Sequence, residues 1–182
     1  MIRLFCLLSC LLIAFCSHCA YAPFSTVNSQ MVMEDARVIA VLNFEQDGFM
    51  AGEKIGGFAA DELTSALFLK RKAKVVDRSN VRAVLSKNEV TQPAFESKDI
   101  EQIGRLLDTD FIILGKIIRL SGDTPIPEDN PRMMIQIVFR ILAVRNGTLI
   151  GVVENKKTCS HEIQQCIQQM IREMAERVDI RG

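Results

Sequence analysis

The sequence has few of the residue types that build aromatic binding platforms and histidine-based active sites. Its 182 residues include no tryptophan, one tyrosine and two histidines. Tyr21 and His18 both lie among the first 22 residues, so His161 is the one histidine of the remaining chain. Stacking sites for bases or sugars are therefore disfavoured, and a histidine-dependent hydrolase would rest on His161 alone. We expect no enzymatic activity, no catalytic residue, and no cofactor or metal site.

Neither sign of charge is in excess. Lys and Arg number 22, Asp and Glu number 22, and the formal net charge is 0. Nucleic-acid-binding domains usually carry a basic patch and a high pI, so a nucleic-acid partner is disfavoured. The 160 residues after position 22 amount to one domain, long enough to bury a core without disulfide bonds.

The first 22 residues are predicted to be a signal peptide. Arg3 is their only charged residue, and Ser9 is the only non-apolar member of the run from Leu4 to Phe15. Twelve residues suit the core of a signal peptide, whereas a spanning helix needs about 20. We interpret residues 23–36, which are polar and without a steady period, as a tether or an edge segment.

The way in which the leader is processed stays open between two alternatives. Ala20-Tyr21-Ala22 fits a small-x-small cleavage site, although Pro23 follows it directly. Cys16 and Cys19 lie where a lipoprotein signal would place its lipidated cysteine, although neither follows a small residue. Cys16 and Cys19 are therefore lipidation candidates, and a lipid anchor is the only membrane attachment that we expect.

Four of the six cysteines belong to the leader, which leaves Cys159 and Cys166. Seven residues along a helix separate two Cα atoms by about 10 Å, beyond the ~7 Å limit for a disulfide. A bridge is therefore expected only if Cys159 bends back before the helix begins. We favour packing of Cys166 in the core, both over a bridge and over a zinc site that would use His161 and Glu162.

From residue 37 to residue 180 the hydrophobic pattern predicts a single α/β domain. The predicted elements are a strand at 37–44, a turn at 43–48, a helix at 52–70, a strand at 75–76, helices capped by Asp77 or Ser79 and by Ser97, strands at 110–120, 133–144 and 149–153, and a helix capped by Ser160. This order, β-α-β-α-α-β-β-β-α, predicts a mixed sheet flanked by helices, parallel at first and antiparallel at the end.

A glycine cluster lies where the first strand leads into the first helix, as phosphate-binding loops do. A Walker loop ends in Gly-Lys followed by Ser or Thr, but Gly57 is followed by Phe58 and Ala59. We therefore interpret Gly52, Gly56 and Gly57 as small residues that allow close packing of the helix.

Four blocks of the sequence resemble the soluble domain of the curli-secretion lipoprotein family (CsgG and its relatives). They are VIAVLNF at 38–44, VVDR at 75–78 followed by Val81, Val84 and Leu85, DFIILGKI at 110–117, and IVFRILAVRNG at 137–147. The resemblance implies an anticodon-binding-like α/β fold, export to the periplasmic face of the outer membrane, and ring-shaped assembly. Lipoprotein activators of peptidoglycan synthases have a similar fold.

The sequence departs from the channel proteins of that family, which insert membrane hairpins around the later strands. A membrane hairpin needs about 20 residues or more. The segment 121–132 has twelve residues, including Pro125, Pro127 and Pro131, and the segment 156–159 has four. We therefore predict that this protein does not form a barrel itself.

The resemblance implies an exported periplasmic protein that assists secretion or assembly of a surface polymer at the outer membrane. The alternative is a lipoprotein-type activator of a peptidoglycan synthase. The expected partners are envelope proteins or secreted fibre subunits, together with further copies of this chain. Because ring packing in the family uses the flanks of the domain, Gly52, Lys54, Asp77 and Arg78 are predicted to belong to an interaction surface.

Overall fold

The computed structural model describes residues 37–49, 54–70, 73–88, 90, 97–120, 133–159 and 162–178. The strands are β1 (Val38–Val41), β2 (Glu45–Asp47), β3 (Lys74–Val75), β4 (Phe111–Leu120), β5 (Met133–Ala143) and β6 (Leu149–Cys159). The helices are α1 (Ile55–Leu69), α2 (Arg78–Lys87), α3 (Ser97–Leu107) and α4 (Ile163–Glu176). Within these ranges no helix has the length and apolarity needed to cross a bilayer.

The six strands form one mixed sheet in the order β3-β1-β4-β5-β6, and β2 also pairs with β4. β1 runs parallel to β3 and to β4, whereas β4, β5 and β6 pair in antiparallel fashion. The predicted α/β class is confirmed, as is the change from parallel to antiparallel pairing.

Among the described elements, strand β2 is the one that the sequence pattern missed, because residues 43–48 were expected only to turn the chain. Glu45, Gln46 and Asp47 are exposed and polar, and they pair with β4 from Lys116 to Ile118. β1 pairs with the earlier part of β4, from Phe111 to Ile113, so β1 and β2 follow each other along the same neighbour. The strand therefore exists because of its pairing with β4 and not because of its composition.

Phe44 fills the interruption between β1 and β2. Its ring lies against Gly115 of β4 so closely that a Cβ on Gly115 would meet the ring carbons at 2.3 Å. A Cβ on Gly56 would meet the Phe44 carbonyl oxygen at 2.0 Å, and the Phe44 amide donates to the Gly56 carbonyl at 3.2 Å. The predicted close packing is confirmed at Gly56 but is wrong at Gly57, where nothing lies within 4 Å of an added Cβ. At Gly115 the absence of a side chain is required for contact with an aromatic ring.

The core consists of two layers, one on each face of the sheet. The larger layer joins one face of β1, β4, β5 and β6 to α1 and α4. The smaller layer joins the other face of β1 and of the first half of β4 to α2 and α3. Both layers are apolar and their members are buried, as the hydrophobic periodicity of the four helices predicts.

The end of the chain differs from the prediction in three linked ways. β6 continues to Cys159 instead of ending at 153, so residues 156–159 belong to a strand rather than to a connection. α4 begins at Ile163 after Glu162, and Ser160 lies outside the described residues. Cys159 and Cys166 form a disulfide with Cα atoms 5.8 Å apart, which corrects the preference for an unbridged Cys166. The helical distance did not apply, because Cys159 lies on the strand before the helix.

Candidate interaction surfaces

The residues predicted for an interaction surface lie near the carboxyl ends of β1 and β3. Lys54 precedes α1 and is exposed, and its side chain makes no capping hydrogen bond. Asp77 and Arg78 begin α2. Gly52, like the lipidation candidates Cys16 and Cys19, lies outside the described residues. The predicted surface therefore stays a prediction, and its described members differ in what their side chains do.

Arg78 is buried, with only 5% of its surface exposed. Its Nη1 donates to the carbonyl oxygen of Val41 at 2.6 Å, and its Nε donates to Asp61 Oδ1 at 2.9 Å. Its Nη2 donates to Asn43 Oδ1. The guanidinium thus joins the end of β1 to α1 and α2. Because it is buried and engaged in these bonds, Arg78 would act in partner binding by positioning neighbouring residues rather than by contacting the partner.

Asp77 is exposed and caps α2. Its carboxylate accepts hydrogen bonds from the Ser79 hydroxyl and, at 2.8 Å, from the Ser79 backbone amide. These two bonds, the hydroxyl bond first, lower the pKa of Asp77 below its ordinary value of 3.8. The predicted capping role of Asp77 is confirmed.

The sequence analysis missed a different surface, on the antiparallel half of the sheet. Ile135, Ile137, Phe139 and Ile141 of β5 point into the larger core layer. Side chains alternate along a strand, so Met134, Val138 and their neighbours point to the opposite face. The strand register places Ile118 and Val152 on that face as well. We call Ile118, Met134, Val138 and Val152 the open sheet face.

Among the described residues, no helix side chain packs on the open sheet face, since none of its four members belongs to either core layer. Met134 and Val152 are exposed, at 39% and 38%. Polar contacts frame them: Gln136 Nε2 donates to Glu154 Oε1 at 2.5 Å, and Lys116 Nζ lies 3.6 Å from Asp47 Oδ2. The alternation of apolar residues with Gln136 and Arg140 in β5 was the sequence signal for this half-covered strand.

A groove of about 780 Å³ adjoins the disulfide between β6 and α4. Its lining is polar apart from the two half-cystines, and includes Lys157, Gln165, Gln168 and Arg172. In the described part of the chain, no three His, Cys, Asp or Glu side chains are arranged to hold a metal ion. His161, the histidine on which a hydrolase would depend, lies outside that part.

No family model and no curated protein sequence matches the chain. Solved structures do match its fold. A PelC dodecamer from Paraburkholderia phytofirmans aligns at TM-score 0.61 and 14% identity, covering 88% of this chain and 100% of the PelC chain. Lipoprotein GNA1162 from Neisseria meningitidis aligns at TM-score 0.50 and 14% identity, covering 77% of this chain and 99% of the GNA1162 chain. The C-terminal domain of LpoB from Escherichia coli aligns at TM-score 0.47 and 12% identity, covering 68% of this chain and 84% of the LpoB chain.

None of the three is named for the curli-secretion family. At these identities the likeness to PelC and GNA1162 shows a common fold. The resemblance of the sequence blocks to the curli-secretion family therefore stays a prediction.

Proposed function

We propose that this protein is a non-enzymatic, exported envelope protein that acts by binding other proteins through the open sheet face. The observation that carries the proposal is the asymmetry of β5 and β6. One face of these strands is packed against helices, while the other presents Met134, Val138 and Val152. Apolar side chains that lie on an uncovered sheet face and are framed by polar groups are typical of protein interaction sites.

Two candidate roles share this docking mechanism. In the first, the protein assembles with further copies of itself and assists secretion or assembly of a surface polymer at the outer membrane. The dodecamer of the PelC structure, which has the same fold, supports an oligomer. The short segment at 121–132 supports an accessory that does not form the channel itself.

In the second role, the domain docks on a peptidoglycan synthase and activates it from a lipid-anchored position. GNA1162 carries the same fold and is named a lipoprotein, which supports a tether through Cys16 or Cys19. The structural neighbours named above favour this role over curli secretion as such, because they include a lipoprotein and no curli-secretion channel.

The test combines native mass measurement with capture of partners by the purified, exported protein. A mass several times that of the protomer, with a fibre or secretion component captured, supports the first role. Capture of a penicillin-binding protein supports the second. A monomer that captures neither class of envelope protein would contradict both.

A matched pair of variants tests whether the open sheet face is the surface used. Val152→Asp places a charge on that face, and Leu106→Asp makes the same type of change at the exposed Leu106 of α3. We expect Val152→Asp to weaken self-association or partner binding at least about tenfold. Leu106→Asp should bind as the unmodified protein does. Equal binding by both variants would exclude the open sheet face.

A further inference from the structure

One pole of the domain is formed by the end of α1, the end of α4 and the starts of the parallel strands β1 and β3. Val38 at the start of β1 pairs with Lys74 at the start of β3, and the Lys74 amide donates to the Arg37 carbonyl at 3.2 Å. Lys70, which follows α1, forms an ion pair with Glu176 at the end of α4. The chain also enters the domain at this pole, because Arg37 is the residue that leads into β1.

Phe68 and Leu69 project at this pole. They are 66% and 77% exposed, the highest values among the large apolar side chains that the structure describes. The preceding residues of the same helix, such as Leu63 and Leu67, are fully buried. Two adjacent bulky side chains left in water at a helix end contribute nothing to the core, so they call for an explanation outside this domain.

Positive charge adjoins this apolar pair. Lys74 is exposed on β3, and Lys70, which is paired with Glu176, follows Leu69 directly. In the sequence, the stretch from Lys70 to Lys74 contains four basic residues and no acidic one. Apolar side chains beside exposed cations are the combination that binds the surface of an anionic bilayer, with the apolar groups in the interface and the cations at lipid phosphates.

We infer that Phe68, Leu69, Lys70 and Lys74, the basal surface, dock on a bilayer that contains anionic phospholipid. Charge complementarity favours a lipid surface over an apolar protein pocket, which would offer Lys74 no anionic group. The direction of the chain agrees, because an anchor in residues 1–36 would hold this pole towards the membrane. The inference goes beyond the proposed function, since bilayer binding does not depend on which protein the open sheet face binds.

The first test measures co-sedimentation with vesicles. The exported protein carries Cys16→Ser and Cys19→Ser, so that no acyl chain is attached there. Vesicles of phosphatidylcholine with about 30 mol % phosphatidylglycerol supply the anionic surface. We expect binding to these vesicles, weaker binding to pure phosphatidylcholine, and at least about a tenfold loss of binding for Phe68→Ser/Leu69→Ser. Lys74→Glu should weaken binding and reduce its dependence on salt.

Met134→Ser/Val152→Ser is the matched control, because it removes two exposed apolar side chains from the open sheet face. It should bind vesicles as the parent does. Unfolding curves of both double variants should match that of the parent, so that loss of binding is not loss of folding. Equal vesicle binding by the Phe68→Ser/Leu69→Ser variant would overturn the inference. A fall in its oligomeric mass with unchanged vesicle binding would instead assign the basal surface to contact between copies.

The absence of tryptophan provides a second, direct readout. Leu69→Trp introduces the only indole of the chain, and its emission should shift to shorter wavelength when anionic vesicles are added. Val152→Trp, on the open sheet face, should show no shift. If Leu69→Trp emission does not change, the basal surface does not enter the bilayer and the inference fails.

Discussion

The parallel and antiparallel halves of this sheet differ in how their faces are used. In the parallel half, β1 is covered on both sides, by α1 on one face and by α2 and α3 on the other. In the antiparallel half, described helices pack on one face of β5 and β6, and the other face presents Met134, Val138 and Val152. The same sheet therefore combines a half built for burial with a half that retains a surface for binding.

The difference indicates where stability and binding are determined. Close contacts that admit no extra atom, at Gly56 and Gly115 against Phe44, lie where the parallel strands meet β4. The antiparallel half has a covalent link instead, between Cys159 and Cys166. We therefore expect substitutions in the parallel half to change the free energy of unfolding and those on the open sheet face to change binding alone.

The largest effect is expected at Gly56. In Gly56→Ala the new Cβ would meet the Phe44 carbonyl oxygen at 2.0 Å, so the backbone must shift, and we expect a loss of about 3 kcal/mol in the free energy of unfolding. Gly57→Ala is the control one residue away, where nothing lies within 4 Å of the new Cβ. It should gain about 0.5 to 1 kcal/mol from helix propensity. Urea titration measures both, and equal effects would refute the close packing at Gly56.

The disulfide gives the next largest effect and tests how the antiparallel half is stabilised. Opening a loop of this size should lower the free energy of unfolding by about 2.5 kcal/mol when the protein is reduced. The variant Cys159→Ala/Cys166→Ala serves as the control, since its unfolding should not respond to reductant. If the unmodified protein unfolds identically with and without dithiothreitol, the two cysteines do not form the bridge.

A smaller loss is expected at Arg78. In Arg78→Met the buried carbonyl of Val41 loses the donor at 2.6 Å, and we expect the free energy of unfolding to fall by about 2 kcal/mol. Arg78→Lys keeps the charge but lacks the planar guanidinium with its several N–H donors, so its loss in the free energy of unfolding should be intermediate. Arg82→Met changes an exposed arginine of the same helix and should stay within about 0.5 kcal/mol of the unmodified protein. An equally large loss for Arg82→Met would show that the buried hydrogen bonds of Arg78 do not account for the effect.

The sequence predicted the elements that carry their own pattern. The apolar run of β1 is typical of a strand covered on both faces. Asn146-Gly147 is typical of a hairpin turn, in which Gly147 has φ +63° and the Thr148 amide donates to Asn146 Oδ1 at 3.2 Å. In both cases the local residues determine the structure. β1 has apolar side chains on both faces, and the turn has a glycine that tolerates positive φ.

Features that depend on distant partners were missed. Glu45, Gln46 and Asp47 resemble a loop, and only their pairing with Lys116–Ile118 makes them a strand. The partners of Arg78 lie 17 to 37 residues away along the chain, so its burial left no local signal. The open sheet face had a signal in the alternation along β5. Its exposure, however, depends on which helices cover which face, and no local pattern specifies that.

The smallest expected effect concerns Asp77, an exposed cap in the parallel half. Because its pKa is lower in the folded protein than its ordinary 3.8, its stabilisation is complete above that value and is lost as pH falls through the folded pKa. The stability of the unmodified protein should therefore fall more steeply than that of Asp77→Asn below about pH 4. Ser79→Ala removes the hydroxyl donor but keeps the backbone amide, so its pH dependence should lie between the two. Unfolding free energies measured from neutral pH into this acid range test the prediction. Parallel curves for the unmodified protein and Asp77→Asn would show that the cap does not depend on the charge of Asp77.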